Sequence, residues 1–249
     1  MNKTVLAMTL LASAGLAATS VTAAEEVKFV TNAAYAPFEF VDENNEMQGF
    51  DLELAKAICE EQALNCSFHN QAFDSLIPSL KFRRYHAAIA AMDITPERAK
   101  QVDFSDIYYE NSAVFVTPED KFDSLDDIAK ETVGVQNGTS HQKYIQDQLE
   151  ADGMTARPYQ SVQDALLDMS NGRLDVVFAD TAVVGDWLAK NDGYAVLGER
   201  VTDDDYFGTG FGIAVTKGNK KLLEQLNKGL AEVKANGRYE TIYQKYFPQ

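Results

Sequence analysis

An α/β fold resting mainly on parallel sheets is predicted by three observations. Short β-rich runs alternate with helical patterns along the chain. Glycine, proline and N-cap residues mark the boundaries between them. At 249 residues and 45% hydrophobic content, the chain can bury one large or two modest cores.

The elements follow in order. Val27-Lys28-Phe29-Val30 reads as the first strand. Over residues 51–62, Leu54, Ala55, Ile58 and Cys59 recur at helical spacing and give one apolar face. Asp74-Ser75 ahead of Leu76, Ile77 and Leu80 predicts a capped second helix, with Pro78 tolerated in its first turn. Residues 87–91 predict a short apolar strand. Thr95-Pro96-Glu97 is a helix start, combining an N-cap, a proline at the first position and an acid in the first turn. Val114-Phe115-Val116 and Val133-Gly134-Val135 read as strands, with a helix starting near Ser124 between them. Ser161 caps a helix carrying Val162, Ala165, Leu166 and Met169, and Asn171-Gly172 ends it. Residues 175–179 and 212–216 predict two further strands. Residues 220–236 predict an amphipathic helix, stopped by Gly237.

Charge narrows the function classes. Asp+Glu number 38 against Lys+Arg 22, a formal net charge of -16. Such an acidic chain is no general nucleic-acid binder, which needs cations to displace counterions from phosphates. It is equally unsuited to anionic lipid. The acidity keeps the chain soluble, or favours a cationic small ligand by long-range attraction.

The first 23 residues read as a signal peptide. Lys3 supplies a positive start, residues 5–18 an uncharged apolar run, and Val21-Thr22-Ala23 the small residues that a signal peptidase reads. The run is short for a membrane span. No cysteine stands at the cut and no later stretch is long and apolar enough to span a bilayer, so a soluble exported product is expected. Loss of Lys3 takes the charge from -16 to -17. In an exported protein, Cys59 and Cys66 read as a disulfide closing a small loop, the alternative being two buried thiols. His69, His86 and His141 are scattered and no metal site is expected.

Ligands of such sheets sit beyond the carboxyl ends of strands. That singles out residues 32–35, 90–98, 137–142 and 180–181. Arg98, on the first turn of its helix, could grip a carboxylate with two parallel hydrogen bonds, or pair with Glu97 or Asp103. Gly138-Thr139-Ser140 offers N–H groups to an anion, or is a plain cap. It lacks the lysine and spacing of a phosphate loop. Asp180 could accept from an ammonium or cap the helix beginning at Thr181, and Asp93 stands similarly after a strand. Tyr35 and Phe73 offer aromatic faces to a cation, or are ordinary core. No nucleophile-elbow or metalloprotease motif occurs, so the set suggests an ion-pairing kit for both ends of an amino acid, and binding without chemistry.

Tyr35-Ala36-Pro37-Phe38-Glu39-Phe40, Gly49-Phe50-Asp51, residues 73–80 and Asp93-Ile94-Thr95-Pro96-Glu97-Arg98 resemble signature segments of periplasmic polar amino-acid-binding proteins, which feed ABC importers. Tyr108-Tyr109, Tyr206-Phe207-Gly208 and residues 243–247 extend the resemblance over the whole mature chain. Residues 137–144, 180–184 and the run ending Lys81-Phe82-Arg83-Arg84 look most like the arginine-binding branch, a relative of the lysine/arginine/ornithine-, histidine- and glutamine-binding proteins.

The resemblance implies a type II periplasmic binding protein of two α/β lobes joined by two hinge strands. Lobe one would be 24–110 plus 209–249, and lobe two 113–204. Arg98 would bind the ligand α-carboxylate, with Thr139 and Ser140. Asp180 would hold the α-ammonium beside Asp93, where relatives often carry Ser or Thr. The carbonyls of Ala90 and Ala91 would face the ligand, and Tyr35 and Phe73 would sandwich its side chain. Cys59 and Cys66 match the small disulfide loop of relatives. Asn32 departs from the acid that relatives binding basic side chains often carry, which leaves His141 and Gln142 beside it to help a guanidinium. Glu39 and Asp51 are shared with relatives of neutral ligands. The expectation is a periplasmic, monomeric receptor without cofactor, capturing L-arginine for a membrane ABC permease. Glutamine, histidine or lysine/ornithine receptors are alternatives, as are a cyclohexadienyl-dehydratase-like lyase and the ligand domain of a sensor kinase.

Overall fold

The computed structural model describes residues 26–207 and 209–248, so the predicted signal peptide lies outside the described residues. Strand β1 (Glu26–Thr31) buries Phe29, Val30 and Thr31 completely, as a strand flanked on both sides must. A small ribbon of β2 (Ala34–Tyr35), β3 (Glu39–Val41) and β4 (Met47–Gln48) follows. Helix α1 (Phe50–Glu61) buries the predicted Leu54, Ala55, Ile58 and Cys59. A disulfide from Cys59 to Cys66 ties its end to β5 (Asn65–Asn70). Closing so short a loop contributes about 2 kcal/mol in the chain-entropy view.

Helix α2 (Leu76–Lys81) begins after a 3₁₀ turn at Phe73–Ser75. The expected Ser75 cap is absent because its hydroxyl donates to the Ala72 carbonyl at 2.6 Å. Strand β6 (Ala87–Ala88) is shorter than predicted, since the chain turns away before Ala91, whose φ is 43°. Helix α3 (Pro96–Ala99) has the predicted cap, with the Arg98 N–H donating to Thr95 Oγ1, and β7 (Val102–Phe104) follows. The chain then crosses to a second sheet with β8 (Ala113–Pro118). The helix expected near Ser124 is only a 3₁₀ turn, Leu125–Ile128, held by reciprocal bonds between Ser124 and Asp127. Strand β9 (Thr132–Gln136), α4 (Ser140–Tyr144), β10 (Thr155–Tyr159), α5 (Val162–Ser170), β11 (Val176–Asp180), α6 (Thr181–Leu188) and β12 (Tyr194–Val201) complete this half. The chain returns through β13 (Ala214–Thr216) and ends in α7 (Lys220–Ala235) and α8 (Arg238–Tyr246), which pack on α1.

The two lobes share one plan. Sheet one runs β5-β1-β6-β13-β7 and sheet two β10-β9-β11-β8-β12. In each, all strands but one point the same way; the exceptions are β13 and β8. Each exception is the first strand after a crossing between lobes. It is fed from the other lobe rather than by a crossover helix, so nothing turns it into the parallel direction.

The two crossing segments, 105–112 and 202–213, pair with each other. The Tyr108 N–H donates to the Phe211 carbonyl at 3.0 Å and the Phe211 N–H to the Tyr109 carbonyl at 2.8 Å. Gly210 is required here, because a Cβ would lie 2.5 Å from the Tyr109 carbonyl oxygen and φ is +95°. Among the described residues, no helix is long and apolar enough to cross a membrane.

Candidate ligand-binding site

The ends of β1, β6, β9 and β11 converge between the lobes, where such sheets leave polar groups unpaired by the ladder. Tyr35, Phe73, Ala91 and Asp93 from lobe one, with Gln136, Thr139, His141 and Asp180 from lobe two, enclose a tight cavity of about 10 Å³. A groove of about 480 Å³ continues outward past Arg98, Gly138, Thr139, Ser140 and Gln142. A much larger hollow, about 1000 Å³, lies along the crossing segments against Tyr109, Tyr239 and Tyr243. Size alone does not mark a site. Buried ionisable groups converging on one small space do, and these surround the small cavity.

Asp180 is the most engaged of them. Its carboxylate accepts from the Tyr35 hydroxyl at 2.5 Å and from Asn111 Nδ2 at 2.6 Å. His141 Nε2 lies 3.1 Å from Asp180 Oδ1 but off the direction of a good hydrogen bond. Asn111 Nδ2 also reaches Asp93 Oδ1 at 2.8 Å, so one amide nitrogen spans both acids as an ammonium would. Burial, and next the charge of Asp180, push the Asp93 carboxyl up to about 7, against the pull of Arg98, His141 and Asn111. Burial, reinforced by Asp180, also holds the Tyr35 hydroxyl well above its usual range, so it stays a donor.

Arg98 is 8% exposed. Its guanidinium donates to the Asp93 carbonyl at 3.0 Å and, across the cleft, to the Gly138 carbonyl at 3.2 Å. Asp93 Oδ2 stands 3.9 Å away and the Phe73 ring 5.4 Å. Burial lowers its proton affinity, an effect that Asp93 and Asp180 partly offset. Thr139 Oγ1 donates to the Gln136 carbonyl and accepts the Gln142 N–H, opening α4. Ser140 Oγ is buried without a partner among the described residues. Gly138 lets the lobes approach: its φ is +75° and a Cβ would lie 2.9 Å from Asp74 Cβ.

Five predicted residues do not line the inner cavity: Arg98, Ser140 and Gln142 stand in the outer groove, and Asn32 and Ala90 lie in neither. Asn32 Nδ2 donates to the Gln71 carbonyl and its Oδ1 accepts from Gln136 Nε2 at 2.8 Å, so it backs Gln136. Ala90 packs in an apolar cluster with Val30, Leu76 and Met92. Gln142 accepts from the Gly138 N–H in the outer groove. Two residues were missed, Gln136 and Asn111. Gln136 is the last residue of β9, one position before the stretch that the strand-end rule selected. Asn111 lies in a crossing segment, and only the pairing of two distant chain stretches puts it between two acids. Among the described residues, no cluster of three or more His, Cys, Asp or Glu is arranged for a metal ion.

Comparison with known proteins agrees with this geometry. Residues 27–249 match the family model of bacterial extracellular solute-binding proteins, family 3. The chain is 52% identical over 249 residues to ABC transporter arginine-binding protein 1 of Escherichia coli K12, covering 100% of both. A Salmonella typhimurium periplasmic binding protein, solved to explain high arginine specificity, is 47% identical with a TM-score of 0.86, over 90% of this chain and 100% of that one. An ancestral arginine-binding protein bound to glutamine is 37% identical with a TM-score of 0.81, over 90% and 98%.

Proposed function

The chain belongs to the bacterial extracellular solute-binding proteins, family 3, and on that premise we propose that its ligand is L-arginine. The observation that carries this reading is the buried charge. Arg98 faces two acids, Asp93 and Asp180, so with Asp93 ionised the cleft holds one negative charge in excess, the complement of an arginine zwitterion with its guanidinium. The relatives named for arginine support the same choice.

Arg98 and the unpartnered Ser140 hydroxyl receive the α-carboxylate, helped by Thr139. Asp180 and Asp93 receive the α-ammonium, displacing the amide nitrogen of Asn111. Tyr35 and Phe73 flank the side chain, and guanidinium stacks well on aromatic faces. The ligand leaves unchanged, and the two crossing segments serve as the hinge between lobes 24–110 plus 209–249 and 113–204. In this reading residues 1–23 are removed on export and a monomeric receptor delivers arginine in the periplasm to a membrane ABC permease.

Calorimetric titration against the common amino acids tests the assignment. Arginine is expected to bind tightest and to be recovered chemically intact. Failure of every basic or amide amino acid to bind ends the proposal. Glutamine is the second reading, because the deep wall of the cleft carries the neutral amide Gln136, backed by Asn32 where relatives that bind basic side chains often carry an acid, and an ancestral arginine-binding protein has been seen with glutamine. Tighter glutamine binding in the same titration selects it.

A further inference from the structure

Behind the cleft lies a second pair of acids, neither of which lines the cavity or its outer groove. Glu39, on β3, and Asp51, in the first turn of α1, are both 0% exposed. Asp51 Oδ2 accepts the Ala91 N–H at 2.7 Å and the Tyr108 hydroxyl at 2.8 Å. The two carboxyls lie close enough for each to shift the proton affinity of the other. Neither Glu39 oxygen nor Asp51 Oδ1 has a hydrogen-bond partner among the described residues. Ionised carboxylates only accept, so a buried pair with three oxygens lacking a donor is satisfied by a proton on one of them, donated to the other.

We infer that Glu39 and Asp51 share one proton and together act as a positioning pair for the ligand-binding loop. Ala91 is the element they hold. Its φ of 43° is a left-handed conformation that an L-residue avoids unless fixed from outside. It lines the cavity and lies two residues before Asp93. Tyr108, held by the same carboxylate oxygen, sits on a crossing segment and donates its N–H to Phe211 on the other. One acid therefore fixes the binding loop and the segment between the lobes. This inference rests on the amino-acid-binding reading of the same site.

The surroundings favour retention of the proton. The other ionisable groups facing the pair are Tyr108 from the crossing segment, Tyr239 from α8 and Asp180 from lobe two, none of them a cation. Burial, and next the charge of its partner, raises the Glu39 carboxyl well above the usual range. Burial raises Asp51 to about 7, opposed by the Ala91 N–H and Tyr108 hydroxyl. Loss of the shared proton leaves two adjacent negative charges shielded from solvent and faced by no cation among the described residues, which drives the ribbon and α1 apart and releases Ala91.

Two variants and two readouts test the pair in the full mature protein. Carboxyl-carbon and amide NMR on the ligand-free wild type is expected to show one proton on the pair at pH 7, with the Ala91 amide signal moving as that proton leaves. Arginine affinity should then fall roughly tenfold per pH unit once the proton is gone. Glu39→Gln keeps a donor toward Asp51 at every pH. It should match the wild-type affinity within about threefold at pH 7 and bind independently of pH on the alkaline side. Asp51→Asn, which cannot serve Ala91, Tyr108 and Glu39 together, should weaken binding about tenfold or more. Two ionised carboxyls at pH 7, or an alkaline fall that survives in Glu39→Gln, overturn the inference. If arginine does not bind the wild type at all, the function proposal fails while the NMR result still decides whether the proton is shared.

Discussion

The two lobes close on the cavity with the same strand-end geometry, but they hold their polar groups differently. Lobe one fixes side chains through buried charge: Asp93 against Arg98, and Asp51 on the Ala91 N–H. Lobe two fixes them through the start of α4 and through partners that reach over from outside it. Asp180 draws its two hydrogen bonds from Tyr35 of lobe one and Asn111 of a crossing segment, with His141 as a close neighbour from its own lobe. Lobe one is thus preset, whereas the central acid of lobe two acquires its donors as the lobes meet. Charge complementarity to an amino acid is a property of the closed pair.

The strongest way to break this comparison is to remove one acid or the one cation. Asp180→Ala strands the Tyr35 hydroxyl, and Arg98→Ala leaves Asp93 and Asp180 without their cation. Each should weaken arginine binding by at least about 100-fold, near 3 kcal/mol, since losing one partner of a buried charged group costs the whole desolvation of the other. Calorimetry reads the affinity and circular dichroism checks the fold. Equal affinity in either variant removes that residue from the site.

Acid titration separates the lobes next. Asp93 in the free protein carries a carboxyl raised to about 7 by burial and by Asp180. An incoming ammonium needs it ionised, so affinity should fall as pH drops below about 7, by up to roughly tenfold per unit. Titrations in buffers of different ionisation enthalpy should register proton release on binding. The ligand-free fold has the opposite slope. Its native state keeps a proton that the unfolded chain gives up near pH 4, so this group makes the fold less stable as pH rises from there to about 7. Asp93→Asn should remove both effects. A wild-type affinity that is level from pH 5 to 7 rules out the raised carboxyl.

Legibility in the sequence followed position in the sheet. The six strands predicted from their runs are β1, β6, β13, β8, β9 and β11, the three interior strands of each sheet. In these two sheets the four that escaped notice, β5, β7, β10 and β12, are the four edges, and the short ribbon β2-β3-β4 escaped notice as well. An interior strand is covered on both sides and reads as an apolar run. An edge is short or polar, as in Asn65-Cys66-Ser67-Phe68-His69-Asn70, or carries proline, as at Pro158. The site shows the same divide. Asp93, Arg98, Thr139, His141 and Asp180 follow interior strands and were found by the strand-end rule. Asn111 was not, because its role depends on where two lobes meet, which no local pattern records.

The smallest expected effect probes closure itself. Asn137 Nδ2 of lobe two donates to Asp74 Oδ2 of lobe one at 2.7 Å, on the exposed rim beside Gly138. Lys143 and Glu97 face each other across the same rim at 3.6 Å, both well exposed, so screening leaves that ion pair little weight. Neither Asn137 nor Asp74 lines the inner cavity. Their bond exists only when the lobes are together, so it stabilises the closed state without touching the ligand's charged ends. Asn137→Ala should weaken arginine binding by only about two- to fivefold, the worth of one solvent-exposed hydrogen bond. The change should appear in dissociation, because capture occurs on the open form before the rim meets. Stopped-flow kinetics with a faster off-rate and an unchanged on-rate is the expected signature. A slower on-rate with the same off-rate would mean that the rim bond forms before closure, and the lobes would then not be preset and acquired in the order argued above.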